Sequence, residues 1–270
     1  MTESLVGKTF AVTGASSGLG FETSRQLIER GARVIALCRQ PVDLGSLCEH
    51  IHLDLRDASS INRSLALIGS RPLEGLVNNA GVLKPVDKFI HSCEAHMGIN
   101  FAAHFALTAG LYPQFTTGAR VVHVSSMAAQ FANLTEVSTE SLRSARGFKA
   151  YARSKLANLM FALELAERST QIASIAVHPG YTATNLQGSL ALGPLGNRLF
   201  AQTLGQGVKP IIEALTHLNL PSGSFYGPSG FFQLRGSPTL LTPYKGATNQ
   251  HERFQLWQFA EQIMNRKFNP

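Results

Sequence analysis

Short apolar runs alternate along this chain with segments of helical periodicity, and this alternation restricts the possible folds more than any other feature of the sequence. The apolar runs are rich in Val, Ile, Leu and Phe and are bounded by Gly, Pro, Asn or Ser, which predicts short strands. They read KTFAVTG, ARVIALC, HIHLDL, LEGLVNNAG, ARVVHVSS, SIAVHPG and GSFYGPSG. Helical spacing predicts helices over residues 18–30, 57–69, 94–115 and 149–168.

The predicted strands contain few polar positions, so we expect both of their faces to be buried. Buried strands joined by helices need crossover connections, and these produce a parallel sheet with helices on both faces. The sequence therefore predicts an α/β fold with a doubly wound, Rossmann-like parallel sheet of about seven strands. No linker divides the 270 residues, so a single domain over 1–270 is expected.

The distribution of charge argues against a nucleic-acid partner. The chain has 24 Lys and Arg against 17 Asp and Glu, but the cations are scattered, without a basic run or zinc-finger spacing. A small ligand that carries phosphates fits this balance better.

Cysteine and histidine usage favours a cytoplasmic protein without a metal. Cys38, Cys48 and Cys93 lack C-x-x-C spacing, which is typical of reduced thiols. The first residues carry an acid and no apolar stretch long enough for a signal peptide or a membrane span. The nine histidines show neither H-x-x-x-H nor H-E-x-x-H spacing, so we expect no metal site.

A glycine-rich turn, TGASSGLG, follows the first predicted strand and opens the first predicted helix. Its glycines are Gly14, Gly18 and Gly20, with G-x-x-x-G-x-G spacing in place of the usual dinucleotide pattern G-x-G-x-x-G. A helix N-terminus offers unpaired N–H groups, and glycines allow a pyrophosphate to approach the backbone. We therefore predict a phosphate-binding turn.

The end of the second strand indicates which dinucleotide would bind. An acid there would hold the ribose 2′-OH, whereas a cation would accommodate a 2′-phosphate. The residues present are Cys38 and Arg39. Since a guanidinium binds phosphate through paired hydrogen bonds, NADP is favoured over NAD.

The same turn also satisfies a rival motif. Gly14-Ala15-Ser16-Ser17-Gly18 matches G-x-S-x-G, the nucleophile elbow of serine hydrolases. That elbow follows a central strand preceded by others, whereas this turn follows the first strand. The hydrolase is therefore the weaker alternative.

Tyr151 and Lys155 lie four residues apart in the last of the four predicted helices, so they share one face of it. They fall at the edge of an apolar stripe that includes Leu156, Leu159 and Leu163. An ammonium about 4 Å from a phenol would lower its pKa by roughly three units, which would allow proton exchange near neutral pH. The pair predicts a proton-transfer site.

Five motifs occur together in a recognisable order: TGASSGLG, NNAG at 78–81, SS at the end of the fifth strand, YARSK and PGYTAT. In this the sequence resembles the short-chain dehydrogenase/reductase family over about residues 7–186. YARSKLAN followed by VHPG is most similar to the branch of retinol dehydrogenases, protochlorophyllide reductases and the WW-domain oxidoreductase.

The resemblance implies a role for each matching polar residue. Tyr151 would be the general acid or base, and Lys155 would lower its pKa and hold the nicotinamide ribose. Ser126 would hydrogen-bond the substrate oxygen, and Asn100 would support a water leading to Lys155.

The resemblance also implies a set of cofactor contacts. Asp54 matches the adenine contact, Asn79, Ala80 and Gly81 the segment along the adenine ribose, and Thr184 the carboxamide contact. The complete predicted cofactor set is Gly14, Ser16, Ser17, Gly18, Leu19, Gly20, Arg39, Asp54, Leu55, Asn79, Ala80, Gly81, Tyr151, Lys155, Pro179, Gly180 and Thr184.

The implied function is an NADP(H)-dependent oxidoreductase acting on a small, apolar carbonyl or alcohol. A non-catalytic protein that binds NADPH for regulation is the alternative from another class. Family members often dimerise through the helix that carries Tyr151, but the segment between Ser126 and Tyr151 is longer here, so monomer and homo-oligomer both stay open. Residues 185–208 predict either a lid over the substrate or an ordinary amphipathic helix.

Overall fold

The computed structural model describes residues 4–135, 145–182 and 202–270. The strands are β1 Thr9–Thr13, β2 Arg33–Cys38, β3 Cys48–His52, β4 Leu73–Asn78, β5 Phe89–Ile90, β6 Cys93–Glu94, β7 Phe115–Val124, β8 Ala173–Val177, β9 Phe225–Pro228 and β10 Pro238–Leu241. The α-helices are α1 Gly18–Glu29, α2 Ala58–Ile68, α3 Ala95–Met97, α4 Ala103–Leu111, α5 Gly147–Arg168, α6 Leu204–Gly207, α7 Lys209–Thr216 and α8 Gln250–Met264.

One sheet of eight strands organises the described part of the chain, in the order β10-β9-β8-β7-β4-β1-β2-β3. β1 pairs in parallel with β2 on one side and with β4 on the other, so the winding direction reverses there. In open parallel sheets a ligand binds beyond the carboxyl ends of the strands at such a reversal. The topology therefore places a cleft beside the turn after β1.

The predicted parallel α/β sheet is confirmed, with one strand more than expected. All seven predicted strands are present, and β10 adds an edge strand that pairs antiparallel with β9. β10 was not predicted because it is short and starts at Pro238, a residue tolerated at strand starts and sheet edges. The short helix α7 was also missed.

The third predicted helix, over 94–115, is interrupted and shorter in the structure. α3 passes into a π-helical turn, Gly98–Ala102, which leads into α4. α4 ends at Leu111 because Pro113 follows and cannot continue an α-helix without losing a hydrogen bond. The π-turn matters for function because it carries Asn100.

Apolar side chains fill both faces of the sheet, as the alternation predicts. One cluster includes Phe105, Phe161 and Trp257, and the other includes Phe10 and Ile211. The strands are therefore rigid on both sides, and functional residues at their carboxyl ends are held in place.

The C-terminal helix α8 packs across α4 and α5. Its Trp257 ring lies 5.0 Å from the Phe105 ring and 5.8 Å from the Phe161 ring. Arg253 forms ion pairs with Glu164 and Glu167 of α5. Trp257 is 4% exposed and packs inside the chain, whereas Phe254 is 44% exposed.

Candidate active site

A single cleft at the carboxyl ends of the strands collects most of the predicted site residues. Its cavity volume is about 280 Å³. The predicted residues that line it are Gly14, Ser16, Ser17, Gly18, Leu19, Arg39, Asp54, Leu55, Asn79, Ala80, Gly81, Ser126, Tyr151, Lys155, Pro179 and Gly180. Residues far apart in the sequence thus meet in one place.

The turn after β1 presents the amino end of α1 to this cleft. Gly14 and Gly18 have φ angles of +68° and +56°, which favour glycine. Ser17 is the N-cap residue, yet its side chain makes no capping hydrogen bond, and the first turn contains no acid. The positive end of α1 is therefore open to an anionic ligand.

Gly20 does not line the cleft, in contrast to the prediction that it contacts the cofactor. A Cβ atom at this position would lie 2.3 Å from the Gly14 carbonyl oxygen and 2.6 Å from Asn79 Nδ2. The residue is glycine because α1 packs closely against the turn and against Asn79.

Two arginines and one carboxylate lie at the far end of the cleft. Arg56 donates hydrogen bonds to Asp54 at 3.0 Å from Nε and 2.6 Å from Nη2. The hydrogen bond from Arg56 lowers the pKa of Asp54, and the charge of the exposed Arg39 acts in the same direction. Arg56 lines the cleft but was missed, because its position beside Asp54 gave no family motif.

Tyr151 is buried at the opposite end, near the start of α5. It is 8% exposed and packs with Ala128, Ala152 and Leu83. Burial raises the pKa of the phenol, and a side-chain hydrogen bond with Ser126 partly counteracts this. Tyr151 and Ser126 therefore face the same part of the cleft, as the motifs predict.

Lys155 lies on the next turn of α5, and its partner is a backbone oxygen. Nζ donates a 2.9 Å hydrogen bond to the Val124 carbonyl and lies 6.0 Å from the centroid of the Tyr151 ring. Burial lowers the pKa of Lys155 to about 8. The charge is thus buried without an acidic partner among the described residues.

The expectation that Lys155 lowers the pKa of Tyr151 is wrong for this arrangement. The ammonium is directed to the Val124 carbonyl at the end of β7, and the pKa of Tyr151 is raised rather than lowered. Burial of Tyr151 is then the dominant effect, because removing a phenolate from water disfavours its charge.

Asn100 lies behind the cleft rather than on its surface. Val82 N–H donates to Asn100 Oδ1 at 2.8 Å, and Asn100 Nδ2 donates to the Val82 carbonyl at 3.1 Å and to Ser154 Oγ at 3.0 Å. Its amide therefore joins the loop after β4 to α5. The Asn100 side chain is buried and connects two elements, and sequence spacing could not indicate this structural role.

The segment after β8 falls partly outside the described ranges. Thr184 and residues 185–201 lie outside the described residues, whereas Thr182 lines the cleft and was missed. His178 is fully buried, donates from Nε2 to Gln233 Oε1 at 3.1 Å, and accepts at Nδ1 from Gly180 N–H at 3.2 Å. It is a structural histidine at the end of β8.

The structure gives no support to the hydrolase alternative. Ser16 hydrogen-bonds the Cys38 thiol, and within the described ranges no hydrogen bond joins it to a histidine that could serve as a base.

The described residues show neither a metal site nor a membrane-spanning helix. No group of three His, Cys, Asp or Glu side chains there could hold a metal ion. None of the helices described combines the length and the apolar character needed to cross a membrane.

Comparison with known proteins gives consistent matches. A family model described as short chain dehydrogenase matches residues 8–193. Human retinol dehydrogenase 12 is 37% identical over 217 residues, which cover 73% of this chain and 68% of that protein. Human retinol dehydrogenase 11 is 36% identical over 206 residues, covering 68% and 64%. The chain thus spans about two thirds of these relatives.

Solved structures match over most of the chain. A crystal structure of an uncharacterised protein from Mycobacterium paratuberculosis has a TM-score of 0.82 at 33% identity and covers 98% of this chain and 96% of that one. A Shigella flexneri short chain dehydrogenase complexed with NADP has a TM-score of 0.66 at 24% identity, covering 83% and 98%.

Proposed function

The chain belongs to the short-chain dehydrogenase/reductase family, and from that premise we propose that it is an NADP(H)-dependent oxidoreductase that moves a hydride between nicotinamide and a carbonyl or alcohol carbon. The observation that carries the proposal is the group at one end of the cleft. There Tyr151, hydrogen-bonded to Ser126 and next to buried Lys155, shares a cavity with a phosphate-binding turn.

The described residues fit a nicotinamide dinucleotide. The turn after β1 offers an uncapped helix N-terminus for the pyrophosphate. Asn79, Ala80 and Gly81 line the middle of the cleft. A Cβ atom at Gly81 would lie 3.2 Å from Asn100 Oδ1 and 3.5 Å from Lys155 Nζ, so glycine keeps the backbone close to both. The cofactor supplies or accepts the hydride, while the protein supplies alignment and proton transfer.

Tyr151 handles the proton in this proposal. Because burial raises its pKa, the phenol is protonated at neutral pH, which is the form that donates to a carbonyl oxygen during reduction. Ser126 orients the phenol and offers a hydroxyl to the substrate oxygen. Lys155, with a pKa of about 8, carries a charge at neutral pH close to the ring.

Arg39 supports NADP over NAD. It follows β2 and lines the cleft at the end opposite Tyr151. Arg56 pairs with Asp54 and so reduces the repulsion that this carboxylate would exert on a 2′-phosphate. Two guanidinium groups at this end favour the phosphorylated dinucleotide.

The substrate we propose is an apolar carbonyl or alcohol compound. The side chains that pack around Tyr151 include Leu83, Ala128 and Ala152, none of which can hydrogen-bond through its side chain. The names of the relatives, retinol dehydrogenases, agree with a lipophilic alcohol or its aldehyde. A cytoplasmic location and the absence of a nucleic-acid partner stay predictions from the sequence.

Replacement of Tyr151 by Phe tests the function directly. Removing the hydroxyl leaves no proton donor at the reacting oxygen, so we expect turnover to fall by about a hundredfold or more while NADPH still binds. NADPH oxidation is measured by absorbance against a panel of aldehydes and ketones, and NADPH binding by fluorescence. Tyr112→Phe, which changes a tyrosine that hydrogen-bonds Ser169 away from the cleft, is the matched control.

The result separates the two classes of function. If the wild type turns over a substrate and Tyr151→Phe retains that turnover, the proton-transfer role is contradicted. NADPH binding without turnover of any substrate in the panel would favour the regulatory alternative.

A further inference from the structure

His104 is a buried titratable side chain next to the proton-transfer residues, and the proposed mechanism assigns it no task. It lies on α4, one turn after Asn100, and is 1% exposed. Its two ring nitrogens contact two different parts of the site. Nδ1 lies 3.0 Å from the Asn100 carbonyl oxygen, and Nε2 lies 3.0 Å from Thr13 Oγ1.

The partners of the two nitrogens define the tautomer. A carbonyl oxygen can only accept, so Nδ1 must carry the hydrogen that is donated to Asn100. The Thr13 hydroxyl already accepts from Asn79 N–H at 2.9 Å and from Ala80 N–H at 3.0 Å. Its two lone pairs are then used, and the Thr13 hydrogen has two acceptors within reach, His104 Nε2 and the Val77 carbonyl oxygen at 3.1 Å. The bond to Asn100 therefore assigns the hydrogen to Nδ1, and in a neutral ring this leaves Nε2 as an acceptor for the Thr13 hydroxyl.

Through Thr13, the hydrogen bond at His104 Nε2 connects to the nucleotide-binding part of the cleft. Thr13 ends β1 directly before the glycine-rich turn, and Asn79 also donates from Nδ2 to the Thr13 carbonyl at 2.8 Å. Asn79 and Ala80 line the cleft. A change in the Thr13 hydroxyl would therefore displace two backbone amides of the dinucleotide segment.

Through Asn100, the hydrogen bond at His104 Nδ1 connects to the proton-transfer end of the cleft. Asn100 lies in the π-helical turn, where the Ala103 N–H bonds the Gly98 carbonyl, five residues back. Its side chain holds Val82 and Ser154, and the Ser154 hydroxyl donates to the Tyr151 carbonyl at 2.8 Å. The position of Asn100 thus determines how the loop after β4 meets Tyr151 and Lys155.

The surroundings of His104 keep it uncharged. Burial lowers its pKa to about 4, and the positive charge of Lys155 on α5 contributes in the same direction. His123 on β7 also interacts with it and is itself buried, with a pKa lowered to about 3. From β1 and β4 the neutral groups Thr13 and Asn78 face this region.

We propose that neutral His104 is a positioning residue that joins the two ends of the active site, holding the Asn100 carbonyl through Nδ1–H and the Thr13 hydroxyl through Nε2. The inference rests on the proposed function. It predicts that loss of the Asn100 bond impairs turnover and that loss of the Thr13 bond impairs dinucleotide binding.

Nitrogen NMR of the uniformly ¹⁵N-labelled wild-type protein tests the tautomer without cofactor or substrate. The His104 signals, assigned by their loss in His104→Asn, should show a protonated Nδ1 and an unprotonated Nε2 from pH 6 to pH 8. A protonated Nε2, in either a neutral or a charged ring, would overturn the proposal.

Two substitutions of His104 test its hydrogen bonds to Asn100 and Thr13 separately. An Asn side-chain amide reaches about as far as Nδ1 of histidine and a Gln amide about as far as Nε2, so His104→Asn keeps the Asn100 bond and His104→Gln keeps the Thr13 bond. Each lost hydrogen bond should cost about tenfold. We expect His104→Asn to weaken the Kd for NADPH about tenfold with kcat nearly unchanged, and His104→Gln to lower kcat about tenfold with Kd nearly unchanged.

His123→Gln is the matched control, because His123 is equally buried and neutral but hydrogen-bonds Asn78 and Ser174 instead. It should lower the Tm as much as the His104 variants and leave kcat and Kd unchanged. Equal losses of kcat and Kd in both His104 variants, or no loss in either, would overturn the proposal. Absence of turnover in the wild type would instead contradict the proposed function, while the NMR and Kd measurements would still test His104.

Discussion

The charge of individual side chains in this cleft is decided by what each one contacts. Lys155 donates to the carbonyl oxygen of Val124, which also accepts from Asn158 Nδ2 at 3.1 Å. The buried ammonium thus has a backbone carbonyl as its partner rather than an acid, and burial lowers its pKa to about 8. The sequence predicts that Tyr151 and Lys155 are neighbours, but the direction of their pKa shifts depends on burial and on β7.

Arg39 is the residue on which the choice of dinucleotide depends. Replacing it with Ala should weaken NADPH binding by about tenfold to a hundredfold, since one charge-assisted contact to phosphate is lost, and should leave NADH binding nearly unchanged. Fluorescence titration with both dinucleotides measures this. Arg63→Ala, which removes an arginine whose side chain is 64% exposed on α2, is the control. A parallel loss of NADPH and NADH affinity would count against a 2′-phosphate contact.

At the scale of the elements, the junction between β7 and α7 depends on a buried arginine. Arg120 of β7 is 4% exposed. Its Nε donates to the Ala214 carbonyl at 2.5 Å, near the C-terminal end of α7, and its Nη2 donates to the Leu220 carbonyl at 2.8 Å. A cation is favourable at a helix C-terminus, where carbonyl groups lack helical partners.

Arg120→Met should therefore lower the free energy of unfolding by about 2–4 kcal/mol, because two buried carbonyl groups lose their donors. Urea denaturation at neutral pH measures the change. Arg33→Met makes the same substitution at an exposed position at the start of β2 and should have little effect. Similar losses in the two variants would show that the carbonyl contacts contribute nothing.

The elements themselves were largely predictable, and the exceptions have local causes. The apolar runs and helical spacing predict β1, β2, α1 and α2 to within one residue, and β4 begins as predicted but ends three residues earlier. The π-helical turn at Gly98–Ala102 has no signal in the sequence, because its hydrogen bonds differ from an α-helix by one residue of register. Asn100 could therefore be named from its motif but not placed.

At the scale of the whole molecule, buried histidines make the fold sensitive to acid. His104, His123 and His178 are fully or almost fully buried, and burial lowers their pKa values to about 4, 3 and 4. Between these values and the ordinary pKa near 6.5, the unfolded chain binds protons that the folded protein does not. Stability must therefore fall as the pH decreases through this range.

We expect the free energy of unfolding to decrease between pH 6.5 and pH 4, by on the order of 3 kcal/mol for each of these histidines. Urea denaturation across this range measures the slope. His123→Gln should make the slope shallower, because one of the contributing groups is absent. His251→Gln changes an exposed histidine on α8 and should leave the slope unchanged. An unaltered slope in His123→Gln would contradict the argument.

The packing of the C-terminal helix α8 also concerns the oligomeric state of the protein. α8 lies across α4 and α5 through Trp257 and Arg253 and so occupies part of the helix surface through which dimerisation was considered. The insertion before α5, which the sequence offered as the cover for that surface, falls partly outside the described residues. Monomer and homo-oligomer both stay predictions from the sequence.

The α/β class, the position of the phosphate turn and the grouping of Tyr151, Lys155 and Ser126 could be predicted from the amino-acid order, because periodicity, glycine placement and motif order are local properties of the chain. The packing of Gly20 against Gly14 and Asn79, the pairing of Arg56 with Asp54, and the contacts of His104 with Thr13 and Asn100 are visible only in three dimensions. These depend on which carbonyl, carboxylate or hydroxyl from a distant element comes within hydrogen-bonding distance, and that distance is set by the packing of the sheet and its helices.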